Sequence, residues 1–212
     1  MFGEKPKQSV RGSIITARVD YAKHENLNWQ ELLMELPPET QAELQKMITG
    51  NYSFNDFYGT PDHFKRVVSS LSWYPATLYN GFLTAIMRQM KKEKGLSFEQ
   101  TSRKSGQFTA ADHLTGFTAY VLTWGSIERT ISMISKGWNA YFSDGTIRVL
   151  KDVPGEAQIE AVISYLIPEV QYVMAGYFEK VLEKKGAKEF NVVSSYTGDN
   201  GGTFNFSVKW KI

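Results

Sequence analysis

The residues able to do chemistry are few. The chain has three histidines and no cysteine, which removes disulfides, thiolate metal sites and cysteine nucleophiles together. His24, His63 and His113 are too scattered to offer two ligands at the i, i+4 spacing of a helical metal motif, so no metal site is expected. Asp62-His63 and Asp112-His113 are adjacent pairs. Neighbours on a helix point about 100° apart and cannot act as a base with its orienting carboxylate. Asp62, just after Thr60-Pro61, reads as a favourable charge on the first turn of a helix. The run "GDNGG" at 198–202 has the glycine content of a phosphate cradle, but no Lys-Ser/Thr follows it and it separates two strand-like segments. It reads first as a hairpin corner needing positive φ. No catalytic constellation emerges, and the chain is expected not to be an enzyme.

These residues must be positioned by a chain of 212 residues, 42% hydrophobic and 14% aromatic, which is enough for a well-packed core. The expectation is one domain over 1–212, mainly helical over 1–138, with a sheet and one helix over 139–212. A formal charge of +2 with interspersed signs gives no field that would attract nucleic acid. "MFGEKPKQSV" has no signal-peptide core, and "GFTAYVLTW" is too short to cross a bilayer. A cytoplasmic protein without membrane insertion is therefore expected.

Helical signals dominate the first two-thirds. Asn28 with Glu31 caps one short helix, and Pro37-Pro38 separates it from a second. Thr60-Pro61-Asp62 opens another. Leu78, Phe82, Ile86 and Met90 stand at i, i+4 spacing in a helix that ends at Gly95. Ser97 with Gln100 forms a capping box, Gly106 is expected to interrupt the helix that follows, and "TAADHLTGFTAYVLTW" resumes it. Ser126 caps "IERTISMISKGW", where Ile127, Ile131, Ile134 and Trp138 share a face. The basic residues of 88–104 read as the solvated end of a helix.

After Trp138 the period changes. Asp144-Gly145 and Pro154-Gly155 are turn signals among β-rich runs, and "PEVQYVMAGYFEKVLEKKGA" is a helix starting at Pro168. The predicted class is α+β: a helical N-terminal half, then a β-β-α-β-β antiparallel four-stranded sheet made by 140–150, 157–164, 190–197 and 203–211.

This layout, the Trp138 that ends the last helix before the sheet, "WYP" at Trp73-Tyr74-Pro75, and the closing Gly198, Asp199, Phe206, Val208 and Trp210 resemble the 4-vinyl-reductase-like domains. The haem nitric-oxide-binding domains and TRAPP trafficking subunits share that layout, and an uncharacterised myxobacterial family, hence a bacterial source, resembles it most. The resemblance implies a regulatory or sensor domain acting as a homodimer. The zinc site of related phenol sensors needs cysteines that are absent here, as does covalent acylation of the trafficking relatives, so an apolar ligand would bind non-covalently.

The main expectation is a sensor that takes a small apolar molecule between helices and sheet and needs no cofactor. Phe82, Ile86, Phe117, Tyr120, Trp124 and Trp138 are the candidate lining residues. Aromatics at helical spacing also suit a solid core. One alternative is an assembly module that docks a protein partner and binds no ligand. Another is a haem-based gas sensor with His113 as axial ligand. "YFSDG" at 141–145 keeps the tyrosine and serine of the Tyr-x-Ser-x-Arg motif that holds haem propionates in the haem nitric-oxide-binding domains, with Gly145 at the arginine position. That loss counts against haem in the family's pose.

Overall fold

The computed structural model describes residues 7–48, 53–54, 58–114, 125–198 and 202–212. They fall into two compact units. The first runs to Thr101 and regains Tyr141–Ser143; the second holds Ser102–Ala140 and Asp144–Ile212.

The first unit is helical. It comprises β1 (Ser9–Arg11), α1 (Gly12–His24), α2 (Trp29–Met34), α3 (Pro38–Lys46), α4 (Pro61–Val67), β2 (Trp73–Pro75) and α5 (Ala76–Lys94). The expected start signals operate: Asn28 Oδ1 accepts from the Glu31 amide at 3.2 Å, and Thr60 Oγ1 from the His63 amide at 3.1 Å. Helix α5 is the hub, with Leu78, Phe82, Ile86 and Met90 wholly buried, as the i, i+4 stripe requires. Trp29 stacks on Phe82 at 6.0 Å and Phe64 meets it edge-on at 4.9 Å, the arrangements that ring quadrupoles favour. The polar tips are satisfied in place: Trp29 Nε1 donates to the Tyr58 carbonyl at 2.7 Å, and the Tyr58 hydroxyl donates to the Leu44 carbonyl at 2.8 Å. Helix α1 is buried on nearly every side and carries Arg18 inward, 5.9 Å from the Tyr79 ring. Burial holds that guanidinium below its ordinary pKa and the Tyr79 phenol above its own.

Helix α6 (Phe98–His113) opens on the expected capping box, with Ser97 Oγ accepting from the Gln100 amide at 3.1 Å, and runs on into the second unit. There it is followed by α7 (Ile127–Gly137), a 3-10 turn at Trp138–Ala140, β3 (Thr146–Val153), β4 (Glu156–Ile163), α8 (Val170–Lys184), β5 (Glu189–Thr197) and β6 (Gly202–Lys211). The sheet has the order β3-β4-β6-β5 and is antiparallel throughout. Alternation sets its faces. Ala157, Ile159, Ala161 and Ile163 of β4 and Phe204, Phe206, Val208 and Trp210 of β6 are buried, while Gln158 and Lys209 are exposed. Phe178 of α8 meets Phe206 edge-on at 5.5 Å on the buried face.

Two expectations need correction. Gly106 does not interrupt α6, which is continuous through it. A Cβ built there would lie 1.9 Å from the Val173 carbonyl oxygen, and one built at Gly176 of α8 would lie 2.1 Å from that of Arg103. The two glycines let α6 and α8 cross backbone to backbone. The first strand of the sheet starts at Thr146 instead of 140, because 138–140 form the 3-10 turn and Phe142 bridges to Val10. The other three strands lie within a residue of their expected bounds.

Candidate functional site

His113 closes α6, where an imidazole also complements the helix dipole. It is half-buried, and its Nδ1 lies 3.4 Å from the Tyr177 hydroxyl of α8, with the rings edge-on at 5.9 Å. Ala110, Leu114 and Val181 form a buried cluster beside the pair, and Ile134 packs against it. The glycine crossing places these groups, since it fixes α6 on α8 about two to three turns before His113. The Tyr177 hydroxyl thus engages one of the two ring nitrogens, Nδ1. Asp112, the adjacent carboxylate, is exposed. Among the described residues no three His, Cys, Asp or Glu side chains gather as a metal site.

The first unit, by itself, holds a three-stranded ribbon. Strand β1 pairs with β2 on one side, in the register Ser9↔Pro75, Val10↔Tyr74 and Arg11↔Trp73. On its other side it bridges Val10 to Phe142, with the Arg11 amide donating to the Tyr141 carbonyl at 2.8 Å and the Ser143 amide to the Ser9 carbonyl at 2.9 Å. Ser143 Oγ accepts from the Ser9 amide at 2.8 Å. Val10 and Phe142 are buried, whereas Arg11, Trp73, Tyr141 and Ser143 are partly exposed on the opposite face. Gly145 has φ +97°, and a Cβ there would lie 2.7 Å from the Val162 carbonyl oxygen. An arginine at 145 would therefore strain the turn.

Of the six candidate lining residues, Phe82 and Ile86 are wholly buried in the first unit and Trp138 is buried in the second. Phe117, Tyr120 and Trp124 lie outside the described residues. A groove of about 380 Å³ that the sequence did not suggest is lined by Leu33, Met34, Gln41, Ala42, Gln45 and Phe54. None of those six side chains carries a charge. Three of the basic residues of 88–104 are ion-paired: Lys92 with Glu31 and Lys94 with Glu25, and Arg103 with Glu179 in a partly buried pair. No described helix is long and apolar enough to cross a membrane.

No protein-family profile matches the sequence, and no curated protein matches it. Solved structures do. The Fe(II) unliganded H-NOX protein from K. algicida superposes with a TM-score of 0.61 at 10% identity, over 95% of this chain and 97% of that one. A mutant of T. Tengcongensis H-NOX gives 0.61 at 10% identity, over 95% and 98%. An oxygen-binding H-NOX domain related to soluble guanylate cyclases gives 0.58 at 11% identity, over 95% and 93%.

That fold family implies haem, and the donor set fits it in part. A half-buried helical imidazole among apolar side chains suits an axial ligand, and the tyrosine and serine of the propionate motif are both present as Tyr141 and Ser143. The cation at 145 is missing. At near 10% identity the likeness fixes the architecture and no more: this chain is folded as an H-NOX domain is.

Proposed function

We propose that this chain is a ligand-binding sensor domain that takes up haem through His113, acts without turnover, and works as a cytoplasmic homodimer. The observation that carries the reading is the His113–Tyr177 pair at the end of α6, on a fold matched over 95% of the chain to H-NOX domains. The extent of the match also supports treating 1–212 as one functional domain. Bound haem would supply the iron that senses a small gas. The protein's part is to present one imidazole nitrogen, to hold the other against Tyr177, and to keep water away with Ala110, Leu114, Ile134 and Val181.

Reconstitution with hemin tests this directly. A Soret band of histidine-ligated haem is expected at one equivalent, to be lost in His113→Ala. A band unchanged in that variant rules out His113 as the ligand, and no binding at all rules out haem. Sedimentation velocity at micromolar concentration reads the oligomeric state.

A second reading is favoured by Gly145. Without a guanidinium there, the domain is suited to a smaller, uncharged apolar ligand held non-covalently. Native mass spectrometry of protein purified from its own cells separates the two, because it reports the mass retained and the stoichiometry together.

A further inference from the structure

The two edges of the sheet are built differently. Strand β3 carries Arg148, Lys151 and Asp152, and its register slips between Val149 and Lys151, two devices that discourage another strand from pairing with an edge. Strand β5 has neither. It runs nine residues, Glu189–Thr197, in unbroken register along β6, and Glu189 at its start is its one charged residue. Among the described residues β6 is the only strand it pairs with, and Asn191, Val193, Ser195 and Thr197 on its outer face are exposed. Arg103 Nη1 and Nη2 reach the Val192 carbonyl at 3.5 and 3.4 Å, and a carbonyl oxygen has a second lone pair for a further donor.

We infer that β5 is a dimer edge whose occupant is the β5 of a second copy, running antiparallel about a two-fold axis through Val193 to make one eight-stranded sheet. The strand's own sequence selects that partner. Only this centre pairs all nine residues: Glu189 with Thr197, Phe190 with Tyr196, Asn191 with Ser195, Val192 with Ser194, and Val193 with itself. Each pair joins residues of the same face, and no like charges meet. On the face that carries α8, Tyr196 already meets Phe204 of β6 at 5.1 Å, and Phe190 stands opposite Trp210. The two-fold sets the partner's Phe190 beside Tyr196, so that Phe204, Tyr196 and the partner's Phe190 and Trp210 form one aromatic row, twice over. Phe190, 39% exposed, and Val193, 53% exposed, are both covered by this pairing. An unrelated strand would supply no such row. The inference deepens the homodimer proposed above and rests on it.

The chain has no cysteine, so a single introduced thiol reports its own neighbours. At a two-fold axis through Val193 the two Cα atoms lie about 4.5–5.5 Å apart, within the span of a disulfide. Val193→Cys is therefore expected to give a covalent dimer on mild oxidation of the full chain, whereas Leu150→Cys, exposed on the other edge, is not. In sedimentation velocity at micromolar concentration wild type is expected to be a dimer. Val193→Lys, which sets two ammonium groups face to face, should weaken it tenfold or more. Val162→Lys, exposed on the same face of the inner strand β4, should stay dimeric. Circular dichroism checks that each variant is folded, and the cross-link decides should Val193→Lys not be. A dimer untouched by Val193→Lys, or one that Val193→Cys does not cross-link, overturns the β5 interface and leaves the homodimer standing. A monomeric wild type overturns both, while hemin titration reads the haem proposal independently of either.

Discussion

The Tyr177 hydroxyl lies 3.4 Å from Nδ1 of His113, across the crossing of α6 and α8. A phenol in that position fixes the ring's orientation and decides which nitrogen faces outward, the service that outer partners perform for ligating histidines generally. Tyr177→Phe should therefore keep hemin binding but weaken it by about 10-fold or more, with no change in secondary structure. Equal affinity in hemin titrations of the variant and wild type would remove Tyr177 from the site.

The same crossing predicts a pair of opposite stability effects. At Gly106 a methyl group has nowhere to go, because the nearest atoms are backbone of α8. Gly106→Ala should cost about 1–3 kcal/mol or more in denaturant unfolding. Gly137, at the end of α7, has nothing within 4 Å of a built Cβ. Gly137→Ala should be neutral or gain up to about 1 kcal/mol from helix propensity. Equal effects at the two sites would contradict the close crossing.

Phe82 lies between Trp29 and Phe64 with no exposed surface. Truncation in solid core costs about 3–5 kcal/mol, and that is the expected loss for Phe82→Ala in urea. A loss near 1 kcal/mol, with changed porphyrin affinity, would place Phe82 on a ligand pocket.

Burial pushes the Tyr58 phenol up to about 12. Below pH 10 the phenol is protonated in both folded and unfolded chains and adds no pH dependence. Between about pH 10 and 12 the unfolded chain ionises first, so stability falls as pH rises. Tyr21 and Tyr79 are also raised by burial and add to the slope. Tyr58→Phe should cost about 1 kcal/mol at neutral pH, through loss of the hydrogen bond to the Leu44 carbonyl, and make the alkaline slope shallower by one proton. Urea titrations at pH 8, 10 and 11 measure both, and an unchanged slope would show that Tyr58 ionises freely when folded.

Local signals carried a long way in this sequence. The caps at Asn28, Thr60, Ser97 and Ser126, the stripe on α5 and the alternation of β4 and β6 are each written within a dozen residues, and each operates in the structure. What could not be read was set by distant partners. Helix α1 shows no apolar stripe because it is covered on nearly every side and buries Arg18. Strands β1 and β2 have three residues each, too few for a period, and exist through pairing with chain more than sixty residues away. Gly106 looks like a break until Val173 is known to lie against it. His113 stood out by type, but Tyr177 is 64 positions later, and Arg11 opposite Tyr141 carried no sequence signal at all.

The excursion of Tyr141–Ser143 to β1 has a consequence for how the protein is made. The helical unit's ribbon closes only when those three residues arrive, some forty positions after its other residues end at Thr101. On the ribosome, the amides of Ser9 and Arg11 gain these partners only once Ser143 and Tyr141 have emerged, so the ribbon is completed after the rest of the N-terminal unit has been synthesised. Its completion is tied to synthesis of α6 and α7, and a chain released after Thr101 would carry an unfinished edge, open to strands of other molecules.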